Sequence, residues 1–262
     1  MIRTQWRQCY DQSLRFGYQR PKYRREETPE VVRYLSRDGK KGFVLWSNLA
    51  DVKVDDVIQR EVEYFRGIGQ AFEWKVYDYD YPENLSERLE RVGFHVDEPL
   101  ALMVGECHGV MPKGAQNIEP LEVREITTES GIHAIMQLEA EVWGRSFVDL
   151  ENELCNDKKT WSESLCLYGV YDGNLLVSAA WMYLELHSEF ASLWGGSTLP
   201  GYRDRGCYTA LVHARREKAR ATGRRYLTVD ASPMSRRILE KHGLVCLGYT
   251  RGCHFVQVES ST

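Results

Sequence analysis

Apolar positions in the second half of the chain recur at two different periods. In LEVREI (Leu121–Ile126) they fall at every second residue, the period of a strand. From Thr128 to Trp143 they fall at Ile132, Ile135, Met136, Leu138 and Val142, behind a Thr/Ser-rich start, and predict a helix. A second helix is expected over Leu150–Leu165. Three strand-like runs follow, Leu165–Tyr171, Leu175–Leu186 and Phe190–Leu199. The first two are joined by Asp172-Gly173-Asn174, a hairpin signal. Next come a helix that stops at Gly223, a strand at Tyr226–Ala231 and a short helix, Ser235–His242, closed by Gly243. Two last strands are expected at Leu244–Thr250 and Cys253–Val258. The order β-α-α-β-β-β-α-β-α-β predicts an α/β (α+β) domain around one mixed sheet.

The first half carries a faint copy of this pattern. VLWSN (Val44–Asn48) parallels SLWGG (Ser192–Gly196), and Tyr64–Asp78 parallels Lys218–Ala231. Leu85–Phe94 parallels Met234–Leu244, with Leu89, Glu90 and Gly93 standing where Leu239, Glu240 and Gly243 do. Between the halves lies CHGVMPKGAQNIEP (Cys107–Pro120), rich in Gly and Pro and poor in apolar residues, which reads as a connection. The expected domains are therefore 1–112 and 119–262, each large enough for its own core.

Composition narrows the picture only a little. With 43% hydrophobic and 27% charged residues and a net charge of −4, the chain reads as a globular protein. Nothing global calls for nucleic acid or a membrane as partner. Residues 1–25 are locally basic and read as a solvated, partly loose segment, with a patch for an acidic partner as the other reading. Seven cysteines, without a CxxC pair or a Cys/His spacing suited to zinc, read as thiols of a reducing compartment. The N-terminus has no apolar stretch of signal-peptide length, and no apolar run is long enough for a bilayer. The expected location is the cytoplasm.

The chemistry concentrates in PGYRDRGCYT (Pro200–Thr209), at a strand-to-helix junction. A helix start offers unpaired N–H groups and a partial positive charge, which together attract a phosphate or pyrophosphate. Gly206 lets the backbone approach a ligand, and Arg203 and Arg205 add forked cationic donors. An ordinary turn with two surface arginines has the same sequence. There is no GxxxxGK(S/T) and no GxGxxG after a strand, which disfavours a P-loop or a dinucleotide fold. The corresponding stretch of the first half, Leu49–Asp56, is shorter, acidic and lacks glycine.

Thr198–Tyr208 resembles the acyl-CoA loop of the GNAT N-acetyltransferase superfamily, whose signature is Q/R-x-x-G-x-G/A. Arg203 and Gly206 match it, whereas Tyr208 stands where glycine or alanine is usual. The element order and the strand–helix–glycine segment Tyr226–Leu244 are also similar, so the resemblance covers about Leu121 to Val258. It implies tandem GNAT-like domains, each a mixed, mostly antiparallel sheet flanked by helices, with the first a degenerate copy lacking the cofactor loop. It implies acetyl-CoA as cosubstrate, held between the strands Phe190–Leu199 and Tyr226–Ala231. The pyrophosphate would sit on the amides of Arg203, Asp204, Arg205, Gly206, Cys207, Tyr208 and Thr209. The pantetheine would pair with Gly196, Ser197 and Thr198, and Ser232 takes the place of an asparagine common in the family. The implied reaction is direct acetyl transfer to a primary amine, of a small molecule or a protein, without a metal.

Two departures from the family's pattern bear on the chemistry. Leu239 stands where a tyrosine commonly serves as general acid, and Ser192 falls near the place of a glutamate base used by histone-acetylating members. Tyr249 and Glu185 are the expected replacements, while Glu139 and Glu141 are candidates to line an amine site or to face solvent. Trp143 and Trp194 are candidate pocket walls, His187 and His242 are expected at the surface, and Cys207 at a helix start is expected to have a lowered pKa. A non-catalytic CoA-binding regulatory or interaction module, and a phosphate-binding protein unrelated to acyl-CoA, remain alternatives. The acceptor and the oligomeric state are not readable.

Overall fold

A computed structural model describes residues 2–50, 52–108 and 118–256. The chain opens with helix α1 (Ile2–Tyr10), which runs into a π-helical turn at Asp11–Phe16. Strands β1 (Tyr23–Glu27), β2 (Val31–Ser36) and β3 (Lys41–Ser47) precede α2 (Val54–Gly67), β4 (Ala71–Tyr77) and α3 (Leu85–Arg91). Then come β5 (His95–Val96) and β6 (Leu100–Glu106). The second half runs β7 (Glu122–Ile126), α4 (Glu129–Trp143), α5 (Val148–Thr160), β8 (Leu165–Asp172), β9 (Leu175–Leu184) and β10 (Phe190–Thr198). It ends with α6 (Cys207–Ala221), β11 (Tyr226–Ala231), α7 (Pro233–Lys241) and β12 (Val245–Phe255). No described helix is long and apolar enough to cross a membrane.

By contact the chain forms two compact units. The first comprises Met1–Met103, Asp230–Arg236 and Cys246–Thr262, and the second Val104–Val229 and Arg237–Val245. The C-terminal strand is thus counted with the N-terminal elements, whereas the sequence expectation divides the chain linearly at 112 and 119.

In the first unit the strand order is β1-β2-β3-β4-β12, with β5 also on β12. All pairs are antiparallel except β3 with β4. The inward face of α2 carries Val54, Val57, Ile58, Val62 and Phe65 at helical spacing. Phe65 stacks on Phe72 of β4 with ring centroids 4.1 Å apart. Each such ring or branched chain, taken out of water, contributes roughly 1.5–3 kcal/mol.

Two sequence expectations are corrected here. The two predicted final strands are one. Arg251 and Gly252 stay extended because they pair with Val76 and Lys75 of β4, so no turn separates them. Residues 257–258 of that expectation lie outside the described residues. The basic N-terminal segment is ordered rather than loose. Its Arg15 is buried, is bonded to both carboxylate oxygens of Asp80 and lies 3.9 Å from the centroid of the Tyr77 ring. A charge so enclosed persists because it is paired and hydrogen-bonded.

In the second unit the order is β7-β8-β9-β10-β11, antiparallel except for β10 with β11. This mixed, mostly antiparallel sheet flanked by helices is the expected fold class. Helix α4 starts at Thr128, whose Oγ1 accepts from the Gly131 N–H at 3.1 Å, and ends at Gly144 in the left-handed region. Its apolar stripe packs with Leu165, Leu167, Trp181 and Tyr183 of β8 and β9. In both units a strand, a helix and a parallel strand follow one another, as β3-α2-β4 and β10-α6-β11.

Candidate functional site

Strand β10 changes character halfway along. It pairs with β11 at Phe190↔Tyr226, Ala191↔Leu227 and Ser192↔Thr228, and the pairing stops there while β10 continues to Thr198. On its other side it pairs with β9, with a bulge between Gly195 and Ser197. Both bulge glycines have positive φ, 67° at Gly195 and 120° at Gly196. A Cβ on Gly196 would lie 2.7 Å from the Tyr208 ring. The glycine pair therefore serves a tight approach as well as the backbone shape. The edge of Leu193–Thr198 facing away from β9 is left without a β11 partner, which opens a cleft in the sheet.

The loop after β10 is braced at both ends. A short 3-10 turn (Pro200–Tyr202) follows Leu199, and the Tyr202 hydroxyl donates to Asp172 Oδ2 at 2.9 Å. Arg205 lies over the Tyr202 ring at 4.8 Å, and Arg203 Nε donates to the Thr198 carbonyl at 3.3 Å. Asp204 and Gly206 have φ of 61° and 81°, which turns the chain into α6. Gly206 caps α6 without a side-chain partner, and its carbonyl accepts from the Ala210 N–H. The amides of the first turn, from Cys207 to Thr209, are thus presented outward. Residues 203–206 are exposed.

Charge lies behind the strand as well. Arg215 of α6 is buried and its Nη1 donates to the carbonyls of Trp181 (3.1 Å) and Trp194 (3.2 Å). It ties α6 to the backbone just before the bulge. The Tyr208 hydroxyl interacts with the same guanidinium, and burial pushes the Tyr208 pKa up while Arg215 opposes it. The Ser197 carbonyl accepts from Ser178 Oγ at 2.8 Å.

On the opposite face of the bulge stands α4. Trp143 Nε1 donates to Ser197 Oγ at 2.9 Å, and Ser197 Oγ donates to Glu139 Oε2 at 2.7 Å. Glu139 is only 4% exposed, and burial raises its pKa against the opposing effects of Ser197, Trp143 and Arg145.

The structure brings Gly196, Ser197, Thr198 and Arg203 to Thr209 into one continuous surface of β10, loop and helix start. It places other expected residues elsewhere. Glu185 is buried at the β9–β10 turn, where its N–H donates to the Phe190 carbonyl. That is the far end of β10, roughly 20 Å along the strand from Ser197. Ser232 heads α7, with its Oγ accepting from the Ser235 N–H at 3.3 Å. Tyr249 lies in β12 of the first unit and its hydroxyl is bonded by Arg236. His187 is exposed as expected.

Several readings are corrected. His242 is buried, with Nε2 at 3.3 Å from Thr209 Oγ1, because the turn after α7 packs against α6, whose Arg216 donates to the His242 carbonyl. Burial, with Arg216 and His213 nearby, holds its pKa down to about 4. The Cys207 thiol is buried, and desolvation raises its pKa rather than the helix start lowering it. Glu141 is exposed and Glu139 is not, so only Glu139 belongs to the site. Arg215 was not among the sequence candidates. Its position four residues after Leu211, on the inward stripe of α6, was the available signal.

No protein-family model matches the sequence, and no curated protein matches it. Solved structures do resemble this one. A GCN5-related N-acetyltransferase from Kribbella flavida is 12% identical, aligns over 99% of this chain and 96% of its own, and gives a TM-score of 0.63. A GCN5-related N-acetyltransferase from Sphaerobacter thermophilus is 13% identical over 87% of this chain and 81% of its own, with a TM-score of 0.59. A tandem GNAT protein from the clavulanic acid biosynthesis pathway is 12% identical over 90% and 83%, with a TM-score of 0.55. What these proteins share with this chain is the fold, and the fold is that of the GNAT N-acetyltransferases.

Proposed function

We propose that this chain is an acyl-CoA-dependent N-acetyltransferase that moves an acetyl group from acetyl-CoA directly to a primary amine. The observation that carries the reading is the continuous surface from the unpaired edge of β10 through the arginine loop to the amides at the start of α6. A pyrophosphate fits the outward N–H groups of Cys207 to Thr209, with Arg203 and Arg205 beside them. An extended pantetheine amide chain fits the free edge of Gly196–Thr198 as an added strand would. Tyr208 narrows this path, because its ring lies against Gly196 where a smaller residue would leave space.

Acetyl-CoA supplies the activated acyl group. The protein's part is to hold the thioester and amine together, point strand amides at the developing oxyanion and keep the amine unprotonated. Tyr249 and Glu185, the replacements expected for the family's missing acid and base, remain proposed proton-handling residues, and the geometry favours groups nearer the bulge.

The tandem arrangement is part of the same proposal. Domains 1–112 and 119–262 are two copies of one fold, of which the first has lost its loop. The β3-α2-β4 unit with its parallel pair supports this. So does the acidic first turn of α2, Asp55 and Asp56, which suits no phosphate.

One observation favours a second reading, a non-catalytic CoA-binding regulatory module. Leu239, at the place of the family's acid, is fully buried and has no proton to give. Turnover decides between the two. Incubation with acetyl-CoA and a panel of primary amines, read by mass spectrometry, is expected to give an N-acetylated product that Arg205→Glu forms at least tenfold more slowly. Binding of acetyl-CoA with no product from any amine would favour the regulatory module.

A further inference from the structure

We propose that Glu139, with Trp143 and Trp194, forms a binding site for the ammonium group of a small alkylamine, on the α4 side of the β10 bulge. As the acceptor site of the transfer reaction it rests on the reading above; as a binding site it stands on its own residues.

Four side chains come to one side of the sheet through two registers. Glu139 and Trp143 are one turn apart on α4 and share a face of that helix. On β10, Trp194 pairs with Trp181 and Ser197 pairs with Ala179, residues two apart on β9. Cross-strand partners share a face, so Trp194 and Ser197 point to the same side of the sheet although they are three residues apart. The extra residue of the bulge resets the alternation and brings Ser197 round to α4. The Trp143–Ser197–Glu139 hydrogen bonds confirm that side.

The hydrogen-bond chain is directional. It runs from the indole N–H through the hydroxyl to Glu139 Oε2, so the carboxylate is its final acceptor. The other oxygen, Oε1, is buried and has no hydrogen-bond partner among the described residues. A buried acceptor left unpaired is costly, and an isolated buried carboxylate more so. An ammonium N–H supplies the missing donor and the missing charge at once.

The surroundings suit a cation on an apolar stem. Trp143 is 64% exposed and Trp194 is 49% exposed, on the side of the sheet that holds the buried carboxylate. Indole faces attract ammonium groups and cover alkyl chains. The charged group that acts on Glu139 is Arg145, just beyond α4, and its field favours the ionised carboxylate. From β10, Ser197 reaches the carboxylate, and on β9 this side presents Ala179, Trp181 and Tyr183, whose hydroxyl donates to Asp157 Oδ2 at 2.8 Å.

The test uses the full chain, with n-hexylammonium as probe and n-hexanol as neutral control. Tryptophan fluorescence follows binding, and acetyl-CoA affinity is measured separately. Saturable binding of hexylammonium is expected, with hexanol at least tenfold weaker. Glu139→Gln, close to isosteric, should weaken hexylammonium at least tenfold and leave hexanol unchanged, while Glu139→Asp keeps part of the affinity. Acidification should weaken the parent's binding and not that of Glu139→Gln. An unchanged thermal unfolding profile separates loss of the site from loss of the fold. No saturable binding by the parent, or equal binding by a folded Glu139→Gln, overturns the proposal. If acetyl-CoA fails to bind while hexylammonium binding depends on Glu139, the transferase reading falls and the ammonium site stands.

Discussion

Three ionisable residues show how far single positions could be read. Glu139 interrupts the apolar stripe of α4, four residues after Ile135 and three after Met136. Its inward position was therefore legible, but its partner Ser197 was not, because the pairing depends on where a bulge falls. Arg15 was illegible for a different reason. Its partner Asp80 lies 65 residues away, and no local pattern links them. His242 read as a surface residue because it falls at the end of a short helix, and its contacts with α6 are not local in sequence. Its burial has a consequence for acid stability. In the unfolded chain a histidine titrates near pH 6.5, whereas the folded value is about 4, so the native state disfavours the proton. The contribution is present above about pH 6.5 and lost as pH falls towards 4. Urea unfolding at pH 7 and pH 5 should show a loss of about 1–2 kcal/mol that His242→Gln lacks. An equal loss in the variant would place the acid sensitivity elsewhere.

Elements were read more securely than residues. Helix α4 carries its start and stop signals in Thr128 and Gly144, and the β8–β9 hairpin carries Asp172-Gly173-Asn174. Strand ends were read less well. The Arg251-Gly252 step looked like a break in sequence and continues as a strand, because pairing with β4 satisfies its backbone. The bulge in β10 shows what an element must do beyond being extended. Gly195-Gly196 marked it in sequence, but its two roles, freeing an edge and turning Ser197 towards α4, appear only with the β9 register. Gly196→Ala should destabilise the protein by about 2 kcal/mol, from strain at positive φ together with crowding of the Tyr208 ring. In a Tyr208→Ala background the crowding disappears and only the backbone part, about 1 kcal/mol, should remain. Denaturant unfolding of the double-mutant cycle measures the difference. An equal cost in both backgrounds would mean that Tyr208 yields freely.

At the scale of the whole molecule, the sequence showed two similar halves and a connection between them. It did not show that β12, last in the chain, pairs with β4 in the first unit. Such an assignment rests on long-range pairing, which local periodicity does not encode. The contrast in sequence between the halves was nonetheless visible, since only the second has a glycine at the mouth of a helix with arginines beside it. The central claim is that this mouth holds the pyrophosphate of an acyl-CoA. Calorimetric titration of acetyl-CoA into the parent, Gly206→Glu and the double variant Arg203→Glu, Arg205→Glu tests it most directly. The two arginines are exposed, so their reversal leaves the core intact and serves as the check on a glycine variant that strains the loop. The account predicts saturable binding by the parent, at least tenfold weaker in both variants at unchanged thermal stability. No binding by the parent, or undiminished binding by the folded double variant, would contradict it.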